Sequence, residues 1–488
     1  MRLSKLTESV KNGKMIFEGE WEREISELST DSRQKTENGL FFCLKGGISD
    51  GHLYASEAVR NGAVAIVTEK ELSLSVPQFL VKNVRAALAE FSSMFHGKPS
   101  ESLKIIGITG TNGKTTTAYM LSSILEEAGK NVGIIGTLGI RYGGKILPSD
   151  LTTPDPIELH KTLANMRICG VEYVVMEVSA HALYYQKTAG IRFEACIFTN
   201  LTQDHLDFFS SMSAYKEAKK ALFAQEVCPL AILNGDDETG REFGKLREGK
   251  IGKALYYGLN TPADAFAIVT DETLKGSECM LNINDTLCRV SLFLAGRHNI
   301  YNALAAATCA SELGISADAV AKGLTKVNGV DGRLQWAGSY RGADIFVDFA
   351  HTPDGLGKSL DALRPHCRGR LICLFGCGGN RDKTKRPLMG ETVAKKSDFA
   401  ILTSDNPRYE DPLDIISDIE KGYRRFSVRY VVVPDRKRAI DYALEFLKEG
   451  DVLLVAGKGG EKYQEIMGIK YPFNDHDIIK KLLEKKGK

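Results

Sequence analysis

The chain has 488 residues, more than one hydrophobic core usually supports, so we predict about three domains. Hydrophobic residues make up 43% and charged residues 26%, which is ordinary for globular domains and argues against disorder or membrane residence. The net charge is +2 and both signs are mixed along the chain, so nothing predicts a nucleic-acid partner.

The ten cysteines are scattered without the spacing of a zinc site, and we interpret them as small core residues in a reducing compartment. The N-terminus lacks the apolar run of a signal peptide. No uninterrupted apolar stretch of about 18 residues predicts a membrane span. We therefore expect a cytoplasmic protein.

Residues 1–100 contain three short apolar runs, GLFFCL, GAVAIVT and PQFLV, and one helical stretch, ASEAVRNG. Turn clusters such as KGGISDG separate them. This pattern predicts a small α/β domain.

Residues 101–337 repeat the order strand, glycine-rich turn, helix. The apolar runs KIIGITG, NVGIIGT, VEYVVMEVS and EACIFTN predict buried parallel strands with ligands at their carboxyl ends. In residues 255–295, apolar and polar residues alternate more regularly, and this pattern predicts a small antiparallel subsheet.

Residues 338–488 carry five further apolar runs, ADIFVDFA, GRLICLFG, DFAILTSD, YVVVPD and DVLLVAGKG, separated by helical stretches such as KRAIDYALEFLK. The pattern predicts a doubly wound, Rossmann-like α/β domain. The lysine-rich tail KKLLEKKGK is typical of a solvated terminal helix.

The run GITGTNGKTT at 107–116 stands where an apolar strand becomes a helix, and this context predicts a phosphate-binding P-loop. Its glycines let backbone amides converge on phosphates, Lys114 adds a charge near the β and γ oxygens, and Thr115 can hold Mg²⁺. Ile108 stands where the Walker spacing has glycine, so the loop is a variant. The alternative is a structural glycine turn.

GTNGKTT resembles the ATP loop of the Mur ligases and of their relative, folylpolyglutamate synthetase. Further matching motifs follow in family order: MEVSAHAL at 176–183, TNLTQDHLD at 199–207, GRHNIYNALAA at 296–306, GRLQ at 332–335, DFAHTPD at 348–354, GCGGNRDKTKR at 376–386, DNPRYEDP at 405–412 and AGKGGE at 456–461. The resemblance implies an ATP-dependent, ADP-producing amide ligase of peptidoglycan biosynthesis. Such enzymes convert a carboxylate to an acyl phosphate, which an amine then attacks.

The resemblance also implies roles for individual residues. It places ATP against Gly110, Thr111, Asn112, Gly113, Lys114, Thr115, Thr116, His298, Asn302, Arg333 and Asp348. It assigns catalysis to Lys114, Glu177, His205 and a carbamylated Lys219, and Mg²⁺ to Thr115, Glu177, His205 and Lys219. From the residues alone, a structural or surface role is favoured for His205. A helix cap for Asn302 and a surface ion pair for Arg333 are about as consistent with the residues as nucleotide binding.

Lys219 has a strong local alternative, because Lys216, Lys219 and Lys220 form a charge run typical of a solvated helix face. Its spacing from Asp204 favours Lys219 over Lys220 as the family's carbamylated lysine. A carbamate would exchange the positive charge for a negative one that supports a metal.

Ser32 lies in STDSR, which resembles the uridine-binding turn of the diaminopimelate-adding branch of the Mur ligases. The resemblance implies that a UDP-muramoyl dipeptide contacts Ser32, Thr152, Thr153, Ser179, Gln186 and Lys187. Lys187 replaces a family arginine and keeps a point charge without the bidentate fork, and Gln186 stands one place after the expected position.

DNPR at 405–408 resembles the signature of the same branch, in which Arg408 grips the far carboxylate of meso-diaminopimelate. A guanidinium recognises a terminal carboxylate and repels the ammonium that ends lysine. The implied pocket comprises Arg381, Asp405, Asn406, Arg408, Gly457 and Glu461. Gly460 replaces a common family histidine, from which we expect looser local packing. The alternative for DNPR is a simple turn.

The sequence therefore predicts small-molecule substrates, namely ATP, the UDP-muramoyl dipeptide and diaminopimelate, for a monomeric enzyme. Three alternatives stay open: the same reaction with L-lysine, a folylpolyglutamate synthetase-like ligase, and a nucleotide-dependent switch that uses the P-loop for conformational change.

Overall fold

The fold is that of a computed structural model, which describes residues 1–8, 10, 13–16, 22–47, 49–224, 227–248 and 252–486. The chain packs into two units. The first comprises Met1–Gly107, Asn131–Glu194 and a short stretch ending at Cys228, and the second comprises Ile108–Lys130, Ala195–Gln225 and Pro229–Lys488.

The first unit begins with a mainly parallel sheet. Its strands are β1 (Lys14–Met15), β2 (Glu27–Ser29), β3 (Gly39–Phe42), β4 (Ala63–Thr68) and β5 (Gln78–Leu80), and its helices are α1 (Leu3–Thr7), α2 (Ala55–Arg60) and α3 (Val84–Phe95). The spatial order is β1-β5-β4-β3-β2, with only β1 antiparallel to its neighbour. The predicted runs form β3, β4 and β5.

Helix α3 was not predicted, although its sequence carries a start signal. The Asn83 side chain accepts the backbone N–H groups of Arg85 and Ala86, which satisfies two free donors of the first turn. Phe91 of α3 packs edge-on against Phe42, with ring centroids 5.6 Å apart. This contact joins the helix to the sheet.

The chain then enters the second unit through β6 (Lys104–Thr109) and α4 (Lys114–Glu127) and returns to the first. There it forms β7 (Val132–Gly136), β8 (Gly139–Tyr142), β9 (Lys145–Leu147), α5 (Pro156–Ile168), β10 (Tyr173–Glu177) and α6 (Ala180–Tyr184). β10 pairs in parallel with β7, and β8 and β9 continue as an antiparallel hairpin.

The second unit continues with α/β segments up to residue 325. Its strands are β11 (Phe193–Phe198), β12 (Leu230–Asn234), β13 (Lys253–Gly258), β14 (Ala265–Thr273), β15 (Gly276–Ile283) and β16 (Thr286–Leu292), and its helices are α7 (Met212–Lys220), α8 (Glu238–Lys245), α9 (Arg297–Glu312) and α10 (Ala317–Thr325). β11 to β14 pair in parallel, whereas β14, β15 and β16 are antiparallel. The predicted antiparallel subsheet is confirmed.

The last part of the second unit is a doubly wound sheet. Its strands are β17 (Gln335–Tyr340), β18 (Ala343–Asp348), β19 (Leu371–Phe375), β20 (Phe399–Leu402), β21 (Arg429–Val432) and β22 (Val452–Ala456), followed by the hairpin β23 (Tyr463–Ile466) and β24 (Ile469–Pro472). Its helices are α11 (Pro353–Leu363), α12 (Lys385–Lys396), α13 (Pro412–Tyr423), α14 (Arg436–Phe446) and α15 (Asp475–Lys486). Short 3₁₀ helices occur elsewhere in the chain at Gly51–Tyr54, Pro99–Glu101, Ala221–Phe223 and Arg364–His366.

The strand order of this sheet is β17-β18-β22-β19-β20-β21, with all pairs parallel except β17 with β18. Buried apolar clusters cover both faces. The predicted α/β class and the Rossmann-like character of this part are confirmed. The boundaries at 100 and 337 stay predictions. In the described ranges, no helix is long and apolar enough to cross a membrane.

Candidate functional site

The glycine-rich loop lies between β6 and α4. Helix α4 begins at Lys114, and its N-cap is Gly113 in the left-handed region with φ 89°. The Lys114 ammonium donates to the carbonyl oxygens of Gly110 and Thr111 at 2.8 and 2.9 Å. The N-terminus of a fourteen-residue helix and a lysine therefore meet at one loop, which is the arrangement that binds phosphate.

Two glycines of the loop are required by close approach. A Cβ at Gly110 would lie 1.9 Å from the Thr199 hydroxyl, and one at Gly113 would lie 2.4 Å from Oδ1 of Asn302. The Thr199 hydroxyl donates to the Asn112 carbonyl at 2.6 Å. The segment after β11 and the start of α9 thus hold the loop in shape.

Lys219 is the buried lysine of α7, with 1% of its surface exposed. Its Nζ donates to the Gly110 carbonyl at 2.9 Å and lies 4.5 Å from the Tyr215 ring. Burial, together with the nearby Lys114 charge, holds the pKa of Lys219 well below its usual range. Lys220, by contrast, is more exposed and pairs with Glu217. Lys219 is therefore a buried lysine beside the phosphate loop, where its uncharged form is favoured.

Asp204 joins the segment after β11 to the C-terminal part of the unit. Its carboxylate lies 3.4 Å from Nζ of Lys385, 3.7 Å from Nε2 of His351 and 3.3 Å from Nε2 of His205. Burial raises the pKa of Asp204, but His351, His205 and Lys385 together hold it well below its usual range. The carboxylate is thus ionised and held between the Lys385 ammonium and two imidazole rings, with His205 in the left-handed region at φ 55°.

Arg333 reaches the phosphate loop from the start of the C-terminal sheet. One guanidinium nitrogen donates to the Thr115 hydroxyl at 3.0 Å. The guanidinium carbon lies 4.4 Å from the Phe349 ring centroid, a cation–π distance. Asp348 accepts the Ala350 amide at 2.9 Å, at the end of β18. The structure therefore brings Arg333 to Thr115.

His298 and Asn302, which the resemblance assigns to ATP, lie in the first turns of α9. Asn302 is buried, and its side chain accepts from the Thr117 hydroxyl at 3.3 Å and donates to Asn299 at 3.0 Å. His298 is half-buried, and burial lowers its pKa. Both residues lie on the helix that supports Gly113.

The predicted amino-acid pocket lies at the carboxyl ends of β20 and β22. The Asn406 amide donates to the Glu461 carboxylate at 2.9 Å, and a Cβ at Gly457 would lie 2.5 Å from Oδ2 of Asp405. The structure therefore brings Asp405, Asn406, Gly457 and Glu461 together. Lys458, which sequence reasoning missed, is fully buried and donates to both Asn406 and Glu461 at 2.9 and 2.8 Å.

Arg408 lies at the edge of this pocket. Its Nε donates to Glu465 at 3.1 Å and one terminal nitrogen donates to the Gly379 carbonyl at 2.9 Å. A Cβ at Gly378 would lie 2.9 Å from Nη1 of Arg408 and 3.6 Å from Cγ of Arg381, so both arginines border one glycine. Arg381 itself is exposed. Together with Lys458, the pocket thus carries three cations, and Glu465 adds a carboxylate.

Residues predicted to bind the UDP-substrate lie in the first unit. The Thr153 hydroxyl donates to the Glu177 carbonyl at 2.9 Å and accepts from the Ser179 amide at 3.0 Å. The Thr137 hydroxyl lies 3.1 Å from that of Thr152 and donates to the Glu177 carboxylate at 3.1 Å. Glu177 therefore ends β10 within a group of hydroxyls.

The remaining residues predicted for the UDP-substrate are held by other partners. Ser32 donates to Glu57 at 2.6 Å. Gln186 accepts from the Asn83 amide at 3.2 Å. Lys187 forms an ion pair with Asp155 at 2.8 Å.

Comparison with known proteins covers the whole chain. Three family models match: "Mur ligase family, catalytic domain" over residues 24–96, "Mur ligase middle domain" over 108–310, and "Mur ligase, glutamate ligase domain" over 332–459. Similar curated proteins include the UDP-N-acetylmuramoyl-L-alanyl-D-glutamate–2,6-diaminopimelate ligases of Caldanaerobacter subterraneus subsp. tengcongensis and Clostridium acetobutylicum. The first is 41% identical, covering 100% of both chains, and the second, numbered 1 in its name, is 42% identical, covering 99% of both. A solved structure of a ligase with that name matches with a TM-score of 0.71 and 30% identity, covering 100% of this chain and 99% of that one.

Proposed function

Because the chain belongs to the Mur ligase family, we propose that it joins meso-2,6-diaminopimelate to UDP-N-acetylmuramoyl-L-alanyl-D-glutamate in an ATP-dependent step of peptidoglycan synthesis. The family resemblance predicted from the motifs is confirmed, and the chain is an ATP-dependent, amide-forming ligase. The observation that carries the reaction is the meeting of Lys114, Lys219 and Arg333 at one glycine-rich loop.

The proposed reaction has two steps. In the first, a substrate carboxylate oxygen attacks the γ-phosphorus of ATP, which forms an acyl phosphate and releases ADP. In the second, the amine of the amino acid attacks the acyl carbon, phosphate leaves with the C–O bond electrons, and the amine loses a proton. Nucleophile and donor are both anionic in the first step, so the cations of Lys114 and Arg333 lower its electrostatic cost.

We assign ATP binding to the loop and to the residues that surround it. The loop residues Gly110 to Gly113, together with Thr116, would surround the phosphates, and His298 and Asn302 would face the adenosine. Asp348 lies at the end of β18, one residue before the Phe349 ring on which the Arg333 guanidinium rests, and we assign it to the same nucleotide site.

The Thr115 hydroxyl and a carbamate on Lys219 would supply oxygen donors for Mg²⁺ beside the loop. In the described ranges, no group of three or more His, Cys, Asp or Glu side chains could hold a metal ion, so the set depends on the Thr115 hydroxyl and a modified Lys219. We assign Mg²⁺ to Thr115 and His205 of the second unit, supported by the carbamate of Lys219, and Glu177 of the first unit stays a ligand predicted from the sequence. The burial of Lys219, which lowers its pKa, favours this modification because only an unprotonated amine adds to carbon dioxide. When bound, Mg²⁺ would neutralise phosphate charge.

We assign the UDP-linked substrate to the first unit. Thr152, Thr153 and Ser179 form a continuous set of hydroxyls. Ser32 and Lys187 would contact the uridine and a negatively charged part of the substrate. A folylpolyglutamate synthetase has no use for a uridine turn, so this set favours the UDP-substrate over a folate.

We assign amino-acid selection to the pocket around Arg408. A terminal carboxylate would complete the hydrogen bonding of a guanidinium that Glu465 and Gly379 hold in place. The ammonium of L-lysine would instead face Arg408 and Arg381, so lysine is disfavoured. We further propose that the enzyme is a monomer in the cytoplasm, where ATP is available.

An omission experiment tests this proposal. Purified protein is incubated with ATP, Mg²⁺, UDP-muramoyl dipeptide and diaminopimelate, and each component is left out in turn while phosphate release is followed. We expect release only in the complete mixture. Release without the amino acid and the dipeptide would instead identify a nucleotide-dependent switch.

A further inference from the structure

Behind the amino-acid pocket lies an ion pair that the proposed reaction does not use. Nε and Nη2 of Arg436 donate to the two carboxylate oxygens of Asp475 at 2.8 and 2.7 Å. Both side chains are 0% exposed. Burying two charges is costly, and apolar residues of similar volume often stabilise a core as well. The presence of an ion pair at this fully buried position therefore suggests a role other than stabilising the fold.

The same guanidinium also holds two strand ends. Nη2 donates to the Ala456 carbonyl at 2.8 Å, and Nη1 donates to the Ser404 carbonyl at 3.3 Å. Ala456 is the last residue of β22, and Ser404 follows β20 by two residues. The two strands are separated in the sheet by β19, so Arg436 spans from one loop to the other.

Each of these carbonyls immediately precedes a pocket residue. Ser404 precedes Asp405, and Ala456 precedes Gly457. The two loops approach so closely that a Cβ at Gly457 would lie 2.5 Å from the Asp405 carboxylate. A small change in the spacing of the loops would therefore alter the pocket directly.

We propose that Arg436 and Asp475 are positioning residues for amino-acid binding. The planar guanidinium of Arg436, whose two terminal nitrogens contact the two loops, fixes the distance between the loops that begin at 404 and 456. Asp475 orients this guanidinium. Asp475 is the first residue of α15, so the C-terminal helix is tied to the pocket from behind. The inference rests on the proposed function only in that this pocket binds the incoming amino acid.

The same sheet offers a matched control pair at its opposite end. Arg370 precedes β19 and Asp451 precedes β22. Nε of Arg370 donates to Asp451 at 3.3 Å, and a terminal nitrogen donates to the Phe446 carbonyl at 2.8 Å. This pair also links an arginine, an aspartate and a backbone carbonyl, but it lies at the amino ends of the strands. Its loss would affect stability without touching the pocket.

The test compares Arg436→Lys, Arg436→Met and Asp475→Asn with Arg370→Met in the full-length enzyme. KM is measured separately for ATP, UDP-muramoyl dipeptide and the amino acid that the wild type uses, together with Tm. We expect Arg436→Met and Asp475→Asn to raise KM for the amino acid about tenfold, the equivalent of one hydrogen bond to a charged group, with KM for ATP unchanged. Arg370→Met should lower Tm with all KM values unchanged.

Arg436→Lys keeps the charge but loses the fork, so it should raise KM less than Arg436→Met. If Arg436→Met fails to fold, the double variant Arg436→Met/Asp475→Leu, which removes both charges, carries the test. Unchanged KM for the amino acid, or an equal rise for all three substrates, would overturn the inference. A wild type that uses another amino acid would refute the proposed substrate alone, and the variants would then be tested with that amino acid.

Discussion

The Arg333 guanidinium donates a hydrogen bond to the Thr115 hydroxyl at 3.0 Å. The guanidinium carbon also lies over the face of the Phe349 ring, 4.4 Å from the ring centroid. A residue at the start of the C-terminal sheet is thereby fixed beside the loop that we assign to ATP. This contact couples the arrangement of the C-terminal part to the nucleotide site.

Arg333→Ala should lower kcat/KM by about ten- to a hundredfold, as expected for losing a hydrogen bond between a cation and an anionic ligand. Arg333→Lys should retain part of the activity because it keeps the charge without the fork. Steady-state kinetics with ATP as the varied substrate measures both effects. Arg341→Ala, an exposed arginine in the following turn, is the control. Wild-type kinetics for Arg333→Ala would contradict the assigned role.

Lys219→Ala should abolish ligase activity, whereas Lys220→Ala should retain it. The reason is that the buried amine of Lys219, whose pKa is lowered, can form a carbamate beside Gly110, while Lys220 lies among surface charges. Native mass spectrometry should also detect one added carbon dioxide on the wild type and on Lys220→Ala. The modification idea would fail if the wild type carried no such addition in bicarbonate buffer while remaining fully active.

Arg408→Ala should weaken the binding of the diaminopimelate transition state, measured as kcat/KM, by about 2–5 kcal/mol. This is the range for removing one partner of a buried charge pair. It should lose less with L-lysine, because the repulsion between two cations disappears together with the guanidinium. The ratio of kcat/KM for the two amino acids measures the effect. Arg425→Ala, an exposed arginine after α13, is the control. An unchanged ratio would refute selection by Arg408.

His160 in α5 makes stability sensitive to acid. It is fully buried, neither ring nitrogen has a hydrogen-bond partner among the described residues, and burial, with a smaller effect of His96, lowers its pKa from 6.5 to about 3. Below pH 6.5 the unfolded chain protonates this imidazole, whereas the folded chain does so only near pH 3. The contribution of neutral His160 to the free energy of unfolding is therefore fully present above pH 6.5 and is lost as the pH falls from 6.5 towards 3.

We therefore expect His160→Leu to flatten the pH dependence of the free energy of unfolding over this window, by a few kcal/mol in total. Urea denaturation at a series of pH values measures it. Met166→Leu, a change at a buried position without a titratable group in the same helix, should leave the dependence unchanged. The same slope in wild type and His160→Leu would show that another group controls it.

The sequence predicted the parallel strands well because buried strands are continuous apolar runs with glycine-rich ends. It could not decide which lysine of α7 is buried, since Lys216, Lys219 and Lys220 share one polar segment. That distinction depends on contacts with Gly110, which is more than a hundred residues earlier. Helix packing, rather than local composition, makes Lys219 special.

Other parts of the site carried no usable local signal. Arg436 stands in a helical stretch of mixed charge, and its partner Asp475 lies thirty-nine residues later. Lys458 and Glu465 also enter the pocket through side-chain contacts that spacing does not reveal. Motif spacing identified the residues at the strand ends, but not the residues whose side chains bind and position the loops that follow those strands.

The central step of the proposed reaction is the attack of an amine on a carboxylate that ATP has activated. Arg408 selects that amine. The most direct measurement is the mass of the product formed from UDP-muramoyl dipeptide and ATP when equal amounts of meso-diaminopimelate and L-lysine compete. We predict the diaminopimelate-containing tripeptide as the main product, with one ADP formed for each. A lysine-containing product in equal or greater amount would contradict it.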